Sequence, residues 1–503
     1  MSKKLGGKEN MYFLSTRGNN EKITASQAII KGLSTDKGLY VPSSFKNLSE
    51  ELKNLVDLDY KQLAYVILKE FLTDYSEEEL KYCIESAYDE KFDTEKIAPI
   101  SKVGDDYILE LYHGPTCAFK DMALTIMPYL LKTAIEKNNL QEEVVILTAT
   151  SGDTGKAALE GFSDVDKIKI VVFFPENGVS AIQKLQMKTT KGLNTCVVGI
   201  NGNFDDAQTG VKNIFADEDF NKELKEKGYI LSSANSINMG RLLPQVVYYF
   251  YAYLQLVKEN EISLGDKVNF VVPTGNFGNI LAGYFAKQMG LPVNKFVCAS
   301  NDNNVLYDFF TTGVYNKNRE LKLTTSPSMD ILISSNLERL LFEISGRDAE
   351  KVNELINNLN TKGVYEIDQN MKDNLSSFYG GYATEEVVKD TIKEVFDKYG
   401  YLLDTHTAVA YSCYEKYVED TKDLTKTVIV STASPYKFSK DVLNSISSVD
   451  DSLDDFEIID KLSDVSNTKI PGPIKTLKDL EIRHNITCEK DELKSEIIKF
   501  LGK

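Results

Sequence analysis

The sequence predicts an α/β fold built on a mostly parallel sheet with helices on both faces. Short Val/Ile-rich runs, among them 144–149, 168–174 and 268–272, alternate with helical patterns over much of the chain. Breakers such as TSGDTG, Pro175 and PTGNFGN close these runs. At 503 residues, with 42% hydrophobic and 26% charged side chains, the chain is globular and too long for one core. Its length fits about three domains or subdomains.

In chain order, residues 1–95 read as a mainly helical N-terminal domain. MYFLSTRG leads to a helical stretch at 25–33, then to the Gly-Pro-punctuated turn KGLYVPSSF, then to amphipathic helices at 60–72 and 77–88. Residues 96–445 form the α/β region. The strand at 144–149 ends in TSGDTG and a helix at 156–162, and the strand at 168–174 stops at Pro175. A run at 197–200 repeats the form. The strand at 268–272 passes through PTGNFGN into a helix at 280–289, and strands follow at 295–299 and 427–430. Residues 344–399 read as a polar helical insertion punctuated by Gly380-Gly381. Residues 446–503 read as an acidic connector, with six acids between 448 and 460, and a C-terminal helical extension. Sheets of this kind bind ligands beyond the carboxyl ends of their strands.

The net charge of −17 argues against nucleic acid or an anionic membrane as partner, since both call for basic surface. A small anionic substrate would need a local positive site. The six cysteines stand singly, without a CxxC pair, so no metal site or redox motif is expected. Reduced thiols suit a cytoplasmic protein. The start, MSKKLGGKENMYFL, lacks the apolar core of a signal peptide, and the apolar run at 246–257 is too short to span a bilayer. The sequence leaves the oligomeric state open.

Five motifs could carry chemistry. In HGPTCAFKD, Lys120 precedes an apolar helix. Burial and the positive helix start would favour its neutral, nucleophilic amine, whereas a side chain snorkelling to solvent would be inert. TATSGDTGKAA joins a strand to a helix through hydroxyls and glycines, which suits a carboxylate or phosphate at free N–H groups, or simply an Asp-Thr cap. It is not a nucleotide-binding P-loop, because positions 150 and 157 hold Thr150 and Ala157. PTGNFGN offers the amides of 275–279 to one phosphate, with Gly275 and Gly278 free to take positive φ. An ordinary glycine-rich turn would look the same. SSANSINMGRLLPQ leads through Asn235, Ser236 and Asn238 to Arg241, a fork for phosphate or carboxylate, or a surface arginine at a helix start. In STASPYKF the hydroxyl of Thr432 ends a strand, as a cap or as a partner for a ring nitrogen.

Together and in this order, HGPTCAFKD, TATSGDTG, NSINMGRLLPQ, PTGNFGN, SPSMDILISSN, DTHTAVA and STASPYKF resemble the blocks of the threonine synthase family, pyridoxal-phosphate enzymes of fold type II. MYFLSTRG and KGLYVPSSF resemble that family's N-terminal domain. The resemblance implies two open, mostly parallel α/β subdomains with a helical N-terminal domain, and pyridoxal 5'-phosphate as cofactor. It implies Lys120 as the Schiff-base lysine, Gly275, Asn276, Phe277, Gly278 and Asn279 around the cofactor phosphate, and Thr432 facing the pyridine nitrogen. Ser151, Gly152, Asp153 and Thr154 would hold the substrate carboxylate. Asn235, Ser236, Asn238 and Arg241 would hold the substrate phosphate. The implied reaction converts O-phospho-L-homoserine and water to L-threonine and phosphate. Alternatives are a related phospholyase, a serine/threonine dehydratase, or a non-catalytic binder on the same fold. Met239, Cys117 and Asn279 depart from the family's usual residues, Asn279 standing for a common Asp, and none removes a charge or nucleophile that the chemistry needs.

Overall fold

The computed structural model describes residues 10–150, 152–177, 179–450 and 452–502. Two sheets organise it. One has five parallel strands, ordered Ile486–Glu489, Thr195–Asn201, Ile168–Pro175, Glu143–Ala149 and Tyr229–Ser232. The other has six, ordered Phe378–Tyr382, Val293–Ser300, Val268–Pro273, Thr427–Ser431, Asp106–Glu110 and Ile100–Val103, parallel except for the last pair. The central strands are buried on both faces, which is why they read as unbroken apolar runs. The helix Pro244–Lys258, buried from Pro244 to Leu256, lies in the main core. That position accounts for its greasy sequence, and no helix among the described residues is long and apolar enough to cross a membrane.

The N-terminal region carries helices at Ala25–Lys31, Tyr60–Leu68 and Glu77–Ala87. Each opens with a capping box, Thr24 with Gln27, Asp59 with Gln62 and Ser76 with Glu79. KGLYVPSSF is more than a turn: Tyr40–Pro42 pairs antiparallel with Phe13–Ser15.

Two other readings need correction. The segment 344–399 is not wholly helical, because Phe378–Tyr382 forms an edge strand of the six-stranded sheet. Gly380 and Gly381 are there for space. A Cβ on Gly380 would come within 3.1 Å of the Tyr307 carbonyl, and one on Gly381 within 3.0 Å of Cys413. The acidic stretch after 448 is likewise not all connector. Asp454 and Glu457 form a capping box for the helix Asp455–Ser466, which buries Ile458, Ile459 and Leu462. The tail then adds an edge strand, Ile486–Glu489, to the five-stranded sheet.

Candidate active site

HGPTCAFKD folds as a turn into a short helix, Asp121–Leu124, with Lys120 at its N-cap. Asp121 fixes the turn by accepting from the Thr116 hydroxyl at 2.6 Å and the Thr116 N–H at 2.8 Å. The Lys120 side chain is 8% exposed, so it does not snorkel to solvent. Its Nζ lies 3.4 Å from Asp153 Oδ2 and 3.2 Å from Ser328 Oγ. Burial pushes the amine below the ordinary lysine range; Asp153 opposes this, and Arg241 and Lys437 reinforce it.

Asp153 opens the helix Asp153–Phe162 after Gly152, whose φ of +144° and contact with Gln183 leave no room for a side chain. The cap is not the expected Asp-Thr pair. Thr150 Oγ1 accepts from the N–H groups of Gly152 and Gly155 at 3.0 and 2.9 Å. The Asp153 carboxylate is occupied instead by Lys437 at 2.9 Å, Gln183 at 3.0 Å and Lys120. Burial opposes its ionisation, but Lys437 and Lys120 outweigh burial and hold it far below the usual carboxylate range. The N–H groups of Asp153 and Thr154 have no acceptor among the described residues. Ser151 lies outside the described residues.

PTGNFGN follows the strand Val268–Pro273 and opens the helix Gly278–Gln288. Positive φ falls on Phe277, at +62°, and not on Gly275 or Gly278 as expected. Glycine at 275 answers a close approach, since a Cβ there would meet the Ser328 carbonyl oxygen at 2.5 Å. The loop's carbonyls are taken, Gly275 by the Ser334 hydroxyl and Asn276 by Asn336. Its N–H groups from Gly275 to Asn279 have no acceptor among the described residues. Asn279 Oδ1 accepts from the hydroxyls of Tyr248 and Tyr249, while its buried Nδ2 has no partner among the described residues.

In the fourth motif Ser236 packs 3.5 Å from where a Gly278 Cβ would stand, and its hydroxyl accepts from Asn336. Asn238 belongs elsewhere. Its Nδ2 donates to the Ile29 and Ser233 carbonyls and its Oδ1 caps Gly240, so it docks the N-terminal helix and is committed there. The Asn235 carboxamide has no partner among the described residues, its N–H going to Ser233 Oγ. Arg241 is 6% exposed, not a surface arginine, and donates to the Ala234 carbonyl at 3.1 Å. No carboxylate pairs with it among the described residues, and burial pulls it down to about 10.

Thr432 follows the strand Thr427–Ser431. The Phe119 N–H donates to its carbonyl at 2.8 Å and the Ser434 N–H donates to the Cys117 carbonyl at 3.0 Å, which lays Thr432 alongside Lys120. Its hydroxyl has no partner among the described residues.

Sequence reasoning missed two basic residues. Lys437, in the same motif as Thr432, donates from a fully buried Nζ to Asp153 and to the Thr116 carbonyl. Arg339, fully buried, donates to the carbonyls of Tyr40 and Ile237 and to Asn336. It thereby ties the N-terminal strand to the Ser236 and Asn276 loops. Neither had a local signal, because each is defined by partners remote in sequence.

The chain matches the family models "Threonine synthase N terminus" over residues 12–88 and "Pyridoxal-phosphate dependent enzyme" over 103–433. It is 44% identical to human threonine synthase-like 1, across 86% of this chain but only 60% of that protein. It is 39% identical to the threonine synthase of Pseudomonas aeruginosa, across 86% of this chain and 90% of that one. The pyridoxal-phosphate-bound threonine synthase of Brucella melitensis superposes with a TM-score of 0.87 at 34% identity, covering 98% of this chain and all of that one.

Proposed function

We propose that this chain, which belongs to the threonine synthase family of pyridoxal-phosphate-dependent enzymes, converts O-phospho-L-homoserine and water to L-threonine and phosphate. The observation that carries the reading is a buried lysine amine, depressed below its usual range, lying where the carboxyl ends of two sheets bring together free N–H groups and an unpaired guanidinium.

The residues fit a flat, phosphorylated aldehyde. Lys120 is the nucleophile for the aldehyde carbon. The free N–H groups of Gly275, Asn276, Phe277, Gly278 and Asn279, at a helix start, are donors for its phosphate, with the orphaned Asn279 Nδ2 beside them. The unpartnered Thr432 hydroxyl, held beside Lys120, would face the ring nitrogen and would not force it to be protonated. When bound, pyridoxal phosphate supplies an electron sink for negative charge at carbons next to the substrate amine.

The chain's own groups do the rest. Lys120 Nζ would hold and move the proton next to the substrate amine, and its depressed basicity suits a group that both takes and returns it. The N–H groups of Asp153 and Thr154, with Ser151, hold the substrate carboxylate, while the Gly152 N–H stays on Thr150 and Gly152 serves by leaving the loop room. For Asp153 this leaves only the N–H, since its own carboxylate is neutralised by Lys437. Arg241, unpaired and buried, receives the γ-phosphate together with Ser236 and Asn235.

Six free, buried cysteines at Cys83, Cys117, Cys196, Cys298, Cys413 and Cys488 suit a reducing, cytoplasmic setting. The test is an assay of purified protein with pyridoxal phosphate and O-phosphohomoserine, following threonine and phosphate together. Equal amounts of both support the proposal. Phosphate without threonine would make the chain a phospholyase, and a 2-oxo acid would make it a dehydratase. Borohydride treatment and peptide mapping should place the cofactor on Lys120.

A further inference from the structure

SPSMDILISSN and DTHTAVA, on widely separated parts of the chain, meet next to Lys120. Ser328 lies in the 3₁₀ turn Pro327–Met329, and its hydroxyl has one partner among the described residues, Lys120 Nζ at 3.2 Å. The Ser328 N–H donates to His406 Nε2 at 3.2 Å. His406 Nε2 therefore carries no proton, and Nδ1–H donates to Asp404 Oδ1 at 3.0 Å. Asp404 is fixed in turn as the N-cap of the helix Thr405–Thr421, where it accepts from the N–H groups of His406 and Thr407. Asp404 and His406 are 1% and 2% exposed, so this arrangement has no room to wander.

The same helix start braces the turn and the cofactor side together. The Thr405 hydroxyl donates to the Thr325 carbonyl at 2.7 Å, and Thr407 Oγ1 lies 2.9 Å from Ser431 Oγ, next to Thr432. Gly275 sits against the Ser328 carbonyl from the other side.

We infer that Ser328 is a further catalytic residue that orients the Lys120 amine, and that His406, held by Asp404, is its positioning residue. An ammonium has three N–H directions. Asp153 Oδ2 and Ser328 Oγ fix two of them, which leaves the third as the line along which Nζ gives or takes a proton. A serine present only to build the turn would gain nothing by spending its hydroxyl on the Lys120 amine, which lies buried beside the free-amide loops. The inference rests on the proposed role of Lys120 and deepens it.

The test compares the parent protein with Ser328→Ala, Ser328→Thr, His406→Asn and the double variant Ser328→Ala/His406→Asn. In protein stripped of cofactor, Lys120 is trapped by a small amine-directed reagent across a pH series and read by mass spectrometry. Loss of the hydroxyl acceptor should move the midpoint of that profile down by about half a unit to one unit, and Ser328→Thr should restore it. In loaded enzyme Ser328→Ala should lower kcat roughly tenfold with KM within about twofold. His406→Asn should act in the same direction, and the double variant should be no worse than the worse single one. An unmoved labelling midpoint together with parental kcat would overturn the inference, as would strictly additive effects of the two substitutions. The labelling arm needs no substrate. If the parent makes no threonine, that result counts against the proposed reaction, and the midpoint still decides the role of Ser328.

Discussion

Lys437 Nζ lies 2.9 Å from Asp153 Oδ1, and neither side chain is open to water. The pair explains how a carboxylate can sit at the entrance of an anion site without repelling the anion: its charge is already spent on Lys437 and Lys120. Removing one member of such a pair strands the other in a medium that cannot solvate it. Lys437→Met is expected to destabilise the protein by about 3–5 kcal/mol. Adding Asp153→Asn to that variant should recover a large part of the loss, because the stranded carboxylate is then gone and Lys120, the amine left without it, can shed its proton. Urea unfolding of the parent, the single variant and the double variant measures this, and equal losses in the two variants would count against the coupling.

Gly275 and Gly278 look interchangeable in sequence, yet their surroundings differ. A Cβ at 275 would meet backbone, the Ser328 carbonyl oxygen at 2.5 Å, whereas one at 278 would meet Asn336 and Ser236 at an ordinary 3.5 Å. Gly275→Ala must therefore displace either the free-amide loop or the Ser328 turn. It should weaken pyridoxal-phosphate binding at least about tenfold, whereas Gly278→Ala should cost less than about threefold. Titrating stripped protein with the cofactor compares the two.

What could be read from sequence was local. The loops at 150–154 and 273–279 declared themselves because strand, loop and helix are consecutive, and Lys120 because an apolar helix follows it. The settings of these residues came from remote partners. Ser328 is 208 residues from Lys120, and His406 is 78 from Ser328. Asn238 misled because a capping asparagine and a ligand-binding asparagine look alike until their hydrogen bonds are seen. The pair Gly380-Gly381 misled for a related reason: glycine marks a turn and a crowded strand equally well.

His113, in the motif that carries Lys120, sits between Asp93 at 2.6 Å and Glu110 at 2.9 Å. Burial disfavours its charge, but hydrogen bonds to Asp93 and Glu110 outweigh burial and raise its pKa from 6.5 to about 9. A folded-state pKa above the unfolded value adds stability that is fully present below about pH 6.5 and is lost as pH rises through about 9. His113→Gln should therefore be most destabilising, relative to the parent, near pH 6. The gap should narrow steadily between pH 6.5 and 9. Thermal melts of both proteins across that range check it, and a gap that widens with pH would contradict the assignment.

Arg241 poses the sharpest choice. A buried guanidinium without a carboxylate is an unfavourable thing to fold around, and burial already lowers its pKa to about 10. If its purpose is to receive the substrate phosphate, stability and function should move in opposite directions on its removal. Arg241→Met keeps the length of the side chain and deletes the charge. It should raise the stability of the ligand-free protein by about 1 kcal/mol or more while reducing turnover of O-phosphohomoserine by at least about a hundredfold. Inorganic phosphate should raise the melting temperature of the parent by binding the folded state, and should lose that effect in Arg241→Met. Arg241→Lys should keep part of the phosphate effect but lose most of the turnover, since a point charge cannot reproduce the bidentate fork. A structural arginine predicts the reverse pattern: Arg241→Met less stable, and phosphate equally effective in both proteins. That outcome would move the substrate phosphate to another part of the site. The cofactor contacts of Lys120 and the 275–279 loop would be unaffected.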